Sequence, residues 1–242
     1  MRFLVTNDDG IYSPGIAALA RAASHFGDVI IVAPNVEQSS MGHAITSRRP
    51  ITYTRTPIED FEAYRVDGTP ADCVALGTHL WGGVEYVLSG INIGLNIGNG
   101  MWHSGTLAAA KQATLLGVCG IAFSAPAAED IDYEHLDPFV SKVLERLIGS
   151  KNMKLVNVNL PERPQGVRWT RQSVRLYDGV IVPGQDPVGR EHFWFTVEPI
   201  QETEEGTDRW AVENGWVSLT PLRLDLTDEA ELERLNRENP VD

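Results

Sequence analysis

An apolar strand, an amphipathic helix and a second apolar strand follow one another within about thirty residues at the start of the chain. Arg2-Phe3-Leu4-Val5-Thr6-Asn7 reads as a buried strand ending in a polar turn. Between residues 14 and 26, Ile16, Leu19, Ala20 and Ala23 recur at helical spacing, and Pro14 suits a first helical turn. Asp28-Val29-Ile30-Ile31-Val32-Ala33 is apolar again and is closed by Pro34. Successive strands joined by a helix run side by side in parallel, so this unit predicts a parallel sheet covered by helices. The pattern recurs, with helices expected over 69–81, 105–117 and 139–148 and strands over 84–89, 118–124 and 155–160. Two β-rich stretches, 44–56 and 61–66, look like an inserted hairpin or edge strands.

Beyond Pro161 the character changes. Segments 167–174, 192–197 and 217–222 alternate like strands with no helix between them, and a last helix is expected over 227–236 with Thr227 as its cap. The reading is a doubly wound, mostly parallel α/β core over residues 1–160, followed by a β-rich extension and terminal helix over 161–242. A chain of 242 residues suits one large domain, or one domain with such an appendage.

Charge narrows the function. The formal net charge is −13 and the isoelectric point about 4.9, which disfavours binding to a nucleic-acid polymer. Residues 201–242 hold 12 Asp/Glu against 4 Arg, a balance of −8 that leaves −5 for the first 200. A small anionic substrate therefore needs local positive charge to receive it. No apolar run approaches the ~20 residues that span a bilayer, and Met1 to Asp9 turns polar too soon for a signal peptide. Cys73 and Cys119 fit neither a disulfide framework nor a metal motif and read as buried thiols. A soluble cytoplasmic protein without membrane contact is expected.

Ligands of open parallel sheets bind beyond the carboxyl ends of the strands, and three polar clusters fall there. Asn7-Asp8-Asp9-Gly10 follows the first strand. Adjacent carboxylates repel unless a cation lies between them, and Mg²⁺ or Mn²⁺ takes such oxygen donors. An Asp helix cap explains one aspartate but not both. The second cluster is Glu37-Gln38-Ser39-Ser40-Met41-Gly42-His43. Ser39 or Ser40 offers a neutral oxygen ligand, although a Ser/Gly stretch also reads as an ordinary loop.

The third runs from Ser89 to Gly100 and holds four glycines and three asparagines among Gly90, Asn92, Gly94, Asn96, Gly98, Asn99 and Gly100. It allows close approach of backbone to a ligand. Ser104-Gly105-Thr106 then opens a helix, whose free N–H groups make an anion site without formal charge. Dinucleotide, P-loop and nucleophile-elbow fingerprints are absent.

In this order the segments resemble the SurE family, the survival-protein 5′(3′)-nucleotidases. The resemblance rests on Val5-Thr6-Asn7-Asp8-Asp9-Gly10, Ala33-Pro34 with Gln38-Ser39, Gly42-His43-Ala44-Ile45-Thr46, and Gly68-Thr69-Pro70-Ala71-Asp72-Cys73-Val74. It continues in Ser89-Gly90-Ile91-Asn92, with Gly94, Asn96 and Gly98, and in Ser104-Gly105-Thr106, with weaker matches at 168–172 and 215–221. It implies a Rossmann-like domain that hydrolyses nucleoside monophosphates with one divalent cation per subunit, Mg or Mn. The implied metal ligands are Asp8, Asp9, Ser39 and Asn96, with Asp8 and Asp9 also catalytic. Asn92, Ser104, Gly105 and Thr106 are implied in the phosphate pocket. The family's C-terminal β extension exchanges between subunits, which implies a homodimer or homotetramer. Ser40 stands where the family commonly has glycine.

The chemistry expected is attack of water on a phosphomonoester without a covalent intermediate. A non-catalytic, Mg-dependent nucleotide-binding or signalling module is the alternative. A receiver-type switch wants an Asp at the third strand's end, where this chain has Ser89-Gly90-Ile91-Asn92.

Overall fold

A computed structural model describes residues 1–128, 130–150, 153–174, 179–196 and 203–238. The opening unit forms as its periodicity predicts. Strand β1 (Arg2–Thr6) leads through helix α1 (Pro14–Ser24) to β2 (Asp28–Pro34), which pairs with β1 in parallel. β3 (Tyr53–Arg55) and β4 (Glu62–Val66) continue the sheet on the β2 side. Helix α2 (Pro70–Trp81) then carries the chain back to β5 (Tyr86–Ile93), on the other flank of β1. Beyond it lie α3 (Gly105–Leu115), β6 (Cys119–Ala125), α4 (Tyr133–Leu147) and β7 (Leu155–Asn159).

Because the chain leaves β1 in one direction and returns on the other, the β1/β5 crevice is the topological switch point, where ligands of such sheets bind. Both faces are covered, so the central strands are apolar on both sides. Phe3 and Val5 pack with Ile16 and Leu19 of α1 and Val140 and Leu144 of α4, whereas Leu4, Val32 and Val87 pack with Val74 of α2 and Ala109 of α3.

The later segments are β8 (Gly166–Trp169), β9 (Val180–Gln185), β10 (Glu191–Thr196), α5 (Asp208–Glu213), β11 (Trp216–Pro221) and α6 (Glu229–Glu238). The nine-stranded sheet runs β3-β4-β2-β1-β5-β6-β7-β11-β8, and β9 with β10 forms a separate ribbon. β11 slots between β7, to which it is antiparallel, and β8, to which it is parallel. The extension thus completes the core sheet. Among the described residues, no helix is long and apolar enough to cross a membrane.

Several local expectations shift. Of 44–56 only Tyr53–Arg55 is a strand. The backbone ahead of it is engaged elsewhere: Thr46 N–H donates to Asp72 Oδ1, and Thr69 Oγ1 donates to Ala44 O, both at the capped start of α2. α4 begins six residues before the expected 139, because Asp132 caps it and the helix runs through Pro138 to bury Leu136 with Val140, Val143, Leu144 and Leu147. β5 continues past the expected Ser89 after a register shift, with Asn92 opposite Ser124. Residues 170–174 lie outside β8, and α5 interrupts what reads as an all-β stretch. The strand expected over 192–197 is β10 as far as Thr196; Val197 lies outside the described residues. Asp228 rather than Thr227 caps α6, accepting from Glu231 N–H at 3.0 Å.

Candidate active site

Asp8 and Asp9 lie just past the end of β1, and Asn92 and Asn96 lie at and beyond the end of β5, so the switch point brings the first and third clusters together. The second cluster joins them through Gln38 N–H, which donates to Asp8 O at 2.7 Å. Asp8 is buried, and its carboxylate meets the start of α3. Thr106 Oγ1 donates to Asp8 Oδ1 at 2.6 Å. A Cβ on Gly105 would stand 2.8 Å from Asp8 Oδ2, so this position has no room for a side chain. Burial raises the Asp8 pKa above the usual carboxylate value, against the lowering effect of Thr106 and of the Thr106 and Gly105 backbone.

Asp9 is half-buried and accepts from Ile93 N–H at 3.2 Å. Burial first, and then the charge of Asp8, push its pKa up to about 6. No ion pair among the described residues involves either aspartate. Two adjoining carboxylates, both held above their ordinary pKa and without a cationic side chain, are the electrostatic condition that a bound cation relieves.

Asn96 is buried, and its orientation is fixed from behind. Its Nδ2 donates to Ser124 Oγ at 2.9 Å and to Thr106 Oγ1 at 3.4 Å, while its backbone N–H donates to Asn159 Oδ1 at 2.9 Å. Asn157 and Asn159 both donate to Asn96 O. With Nδ2 committed, Oδ1 is the acceptor left for a ligand. Ser39 is exposed on the rim, its hydroxyl donating to Glu37 Oε1 at 2.6 Å, which leaves oxygen lone pairs available. Ser40, beside it, has φ +60°, a left-handed backbone that favours glycine.

Two carboxylates, an amide oxygen and a hydroxyl form a hard, all-oxygen donor set of the kind that Mg²⁺ and Mn²⁺ accept. The residues present therefore fit a divalent cation.

In the phosphate pocket that the resemblance implies, Ser104 caps α3 by accepting from Leu107 N–H at 3.0 Å, so its own proton stays free to donate. The Thr106 hydroxyl is turned onto Asp8 instead. Asn92 Nδ2 donates to Gly94 O at 2.6 Å and shapes the turn that leads to Asn96.

The family profile described as "Survival protein SurE" matches residues 3–179. The chain belongs to the SurE family. It is 46% identical over 244 residues to "5'-nucleotidase SurE 1" of Thermus thermophilus, covering 98% of this chain and 97% of that one. To "5'-nucleotidase SurE" of Deinococcus radiodurans it is 45% identical, over 93% and 88% of the two chains. The fold matches the crystal structure of the SurE protein from Aquifex aeolicus with a TM-score of 0.85 and 38% identity, over 98% of this chain and 99% of that one.

In this SurE-family site several supporting residues escaped the sequence reading. Asn157 and Asn159 are two apart on β7 and so share one face, a signal visible in the sequence as polar alternation in an otherwise apolar strand. Tyr133, at the start of α4, has a buried hydroxyl with no hydrogen-bond partner among the described residues, and burial together with the Asp9 charge pushes its pKa up to about 12. Asp208 is fully buried and accepts from Gly98 N–H at 3.0 Å and Ser173 N–H at 2.9 Å. Nothing local marks it as part of the site.

Proposed function

We propose that this chain is a divalent-metal-dependent phosphomonoesterase that hydrolyses nucleoside 5′-monophosphates, and 3′-monophosphates at the same site, to nucleoside and phosphate. The observation that carries the reading is the meeting of Asp8, Asp9 and Asn96 at the switch point, with no ion pair to either aspartate among the described residues. The curated names of the similar chains from Thermus and Deinococcus support it.

One divalent ion per subunit, Mg²⁺ or Mn²⁺, is held in this reading by Asp8, Asp9, Ser39 and Asn96. When bound it supplies charge neutralisation of the phosphoryl group and acidifies the attacking water. The chain's own residues do the rest. Thr106 and the start of α3 hold Asp8 in one orientation, and Ser124 does the same for Asn96. Ser104 and Asn92, with the N-terminal end of α3 at Gly105 and Thr106, face the phosphoryl oxygens and favour their charge. Among the described residues Asp9 receives one N–H bond, from Ile93, so its remaining lone pairs are placed to take the water's proton and pass it to the departing nucleoside oxygen as the ester P–O bond breaks.

The same reading places the chemistry in residues 1–160 and gives 161–242 a role in assembly into a homodimer or homotetramer. It is supported by the β9/β10 ribbon, on which Ile181, Phe193, Trp194 and Phe195 are exposed. It also places the protein in the cytoplasm, which suits its two free thiols, Cys73 and Cys119.

The test is phosphate release from nucleoside monophosphates with Mg²⁺, Mn²⁺ or EDTA. Release with metal and none with EDTA is expected, with Asp8→Asn and Asp9→Asn each lowering the rate by ~100-fold or more. Nucleotide binding without phosphate release under any metal would move the chain to the binding-module reading, and wild-type turnover in either variant would remove the site assignment.

A further inference from the structure

A cavity of about 570 Å³ opens beside the paired aspartates, and Asp9 and Ser39 belong to both it and the cation site. Its other walls are the turn from Gly10 to Pro14 after β1, the Asn35-Val36-Glu37 loop after β2, and Ile93 at the tip of β5. The size is that of a small-molecule site. Three apolar or aromatic side chains around it face solvent: Tyr12 is 64% exposed, Val36 57% and Ile93 41%.

The Tyr12 ring is not loose, because its hydroxyl hydrogen-bonds Thr56 Oγ1 at 3.0 Å. A tethered aromatic face beside two exposed aliphatic side chains is a surface suited to an aromatic ligand group. Among the described residues no Lys or Arg lines the cavity, while Asp9 and Glu37 do, so the occupant is uncharged where it leaves the phosphoryl group. Asn35 and Glu37 offer acceptors for hydroxyl groups.

From this we infer that the cavity is the nucleoside subsite: the base stacks on Tyr12 between Val36 and Ile93, and the ribose hydroxyls meet Asn35 and Glu37. The inference rests on the phosphomonoesterase reading and deepens it. It makes Tyr12 a specificity residue, since every base has a π-face and stacking rewards the presence of a base over its identity.

The experiment compares kcat/KM for adenosine 5′-monophosphate with that for ribose 5-phosphate, the same ester without its base, in wild type, Tyr12→Ala and Tyr12→Phe. The ratio of the two substrates is read within each preparation, so partial misfolding lowers both and cancels. Wild type is expected to prefer the nucleotide. Tyr12→Ala lowers that preference by about 5–100-fold, mainly through KM for the nucleotide, and Tyr12→Phe, which keeps the ring, restores most of it. An unchanged ratio in Tyr12→Ala, or a Tyr12→Phe variant as indifferent as Tyr12→Ala, overturns the subsite. Failure of wild type to release phosphate from either ester would instead defeat the phosphomonoesterase reading, and the two failures are distinguishable.

Discussion

Thr106 donates its only hydroxyl proton to Asp8 and accepts from Asn96, which makes one side chain the tie between two of the four proposed ligands. Outer groups that orient metal ligands typically carry 10–100-fold in affinity. Thr106→Val keeps the shape and removes the proton, so Mn²⁺ affinity by calorimetric titration should fall by about that factor, and Thr106→Ser should recover it. Asp9 carries a second prediction. Its folded-state pKa of about 6 lies above the ordinary 3.8, so the folded chain binds the proton more tightly than the unfolded chain. Stability from this group is present below pH 3.8 and is lost as pH rises through about 6. Metal-free Asp9→Asn should therefore melt above metal-free wild type at pH 7.5, and the gap should close toward pH 4. Excess Mg²⁺ or Mn²⁺ should raise the wild-type melting temperature more than that of the variant. A variant that melts below wild type in EDTA at pH 7.5 would contradict the electrostatic account of this pair.

Elements distant in sequence hold the glycine- and asparagine-rich loop in place. Asp208, the first residue of α5, accepts from Gly98 N–H across 110 residues of chain, and Gln172 Nε2 donates to Gly98 O at 3.0 Å. Gly98 itself has φ +55°, and a Cβ there would stand 2.9 Å from Ser173 Oγ, so loop and extension meet in close contact. Asp208→Ala strands the buried Gly98 N–H, at about 1–3 kcal/mol, and the half-buried Ser173 N–H, at less. The expected result is a lower melting temperature together with reduced kcat/KM for phosphate release, with Asp208→Asn closer to wild type. A variant less stable but fully active would show that α5 supports the fold and not the loop. The same logic explains why residues ahead of Tyr53 form no strand: the cap of α2 takes Thr46 N–H and Ala44 O as partners, and a ladder needs such groups free.

At the scale of the molecule, the described residues of the β9/β10 ribbon carry an exposed apolar patch, in which Phe193, Trp194 and Phe195 are each more than half exposed. Patches of this kind mark interaction surfaces. Assembly through the ribbon predicts that Trp194→Glu combined with Phe195→Glu shifts the protein to a monomer in analytical ultracentrifugation, and an unchanged assembly would place the interface elsewhere. The sequence by itself determined the βαβ succession, the apolar strands and the strand-end positions of Asp8, Asp9, Ser39 and Asn92. Each depends on short-range periodicity and turn chemistry, which a local stretch of chain carries whatever lies around it. Only the tertiary structure decided that β11 inserts between β7 and β8, that Asn157, Asn159 and Ser124 fix Asn96, and that Asp208 holds Gly98. Those partners are 28 to 110 residues apart, and their meeting follows from how the whole sheet closes its core. The cavity that begins at Asp9 arises in the same way, from three strand ends that no single stretch of sequence contains.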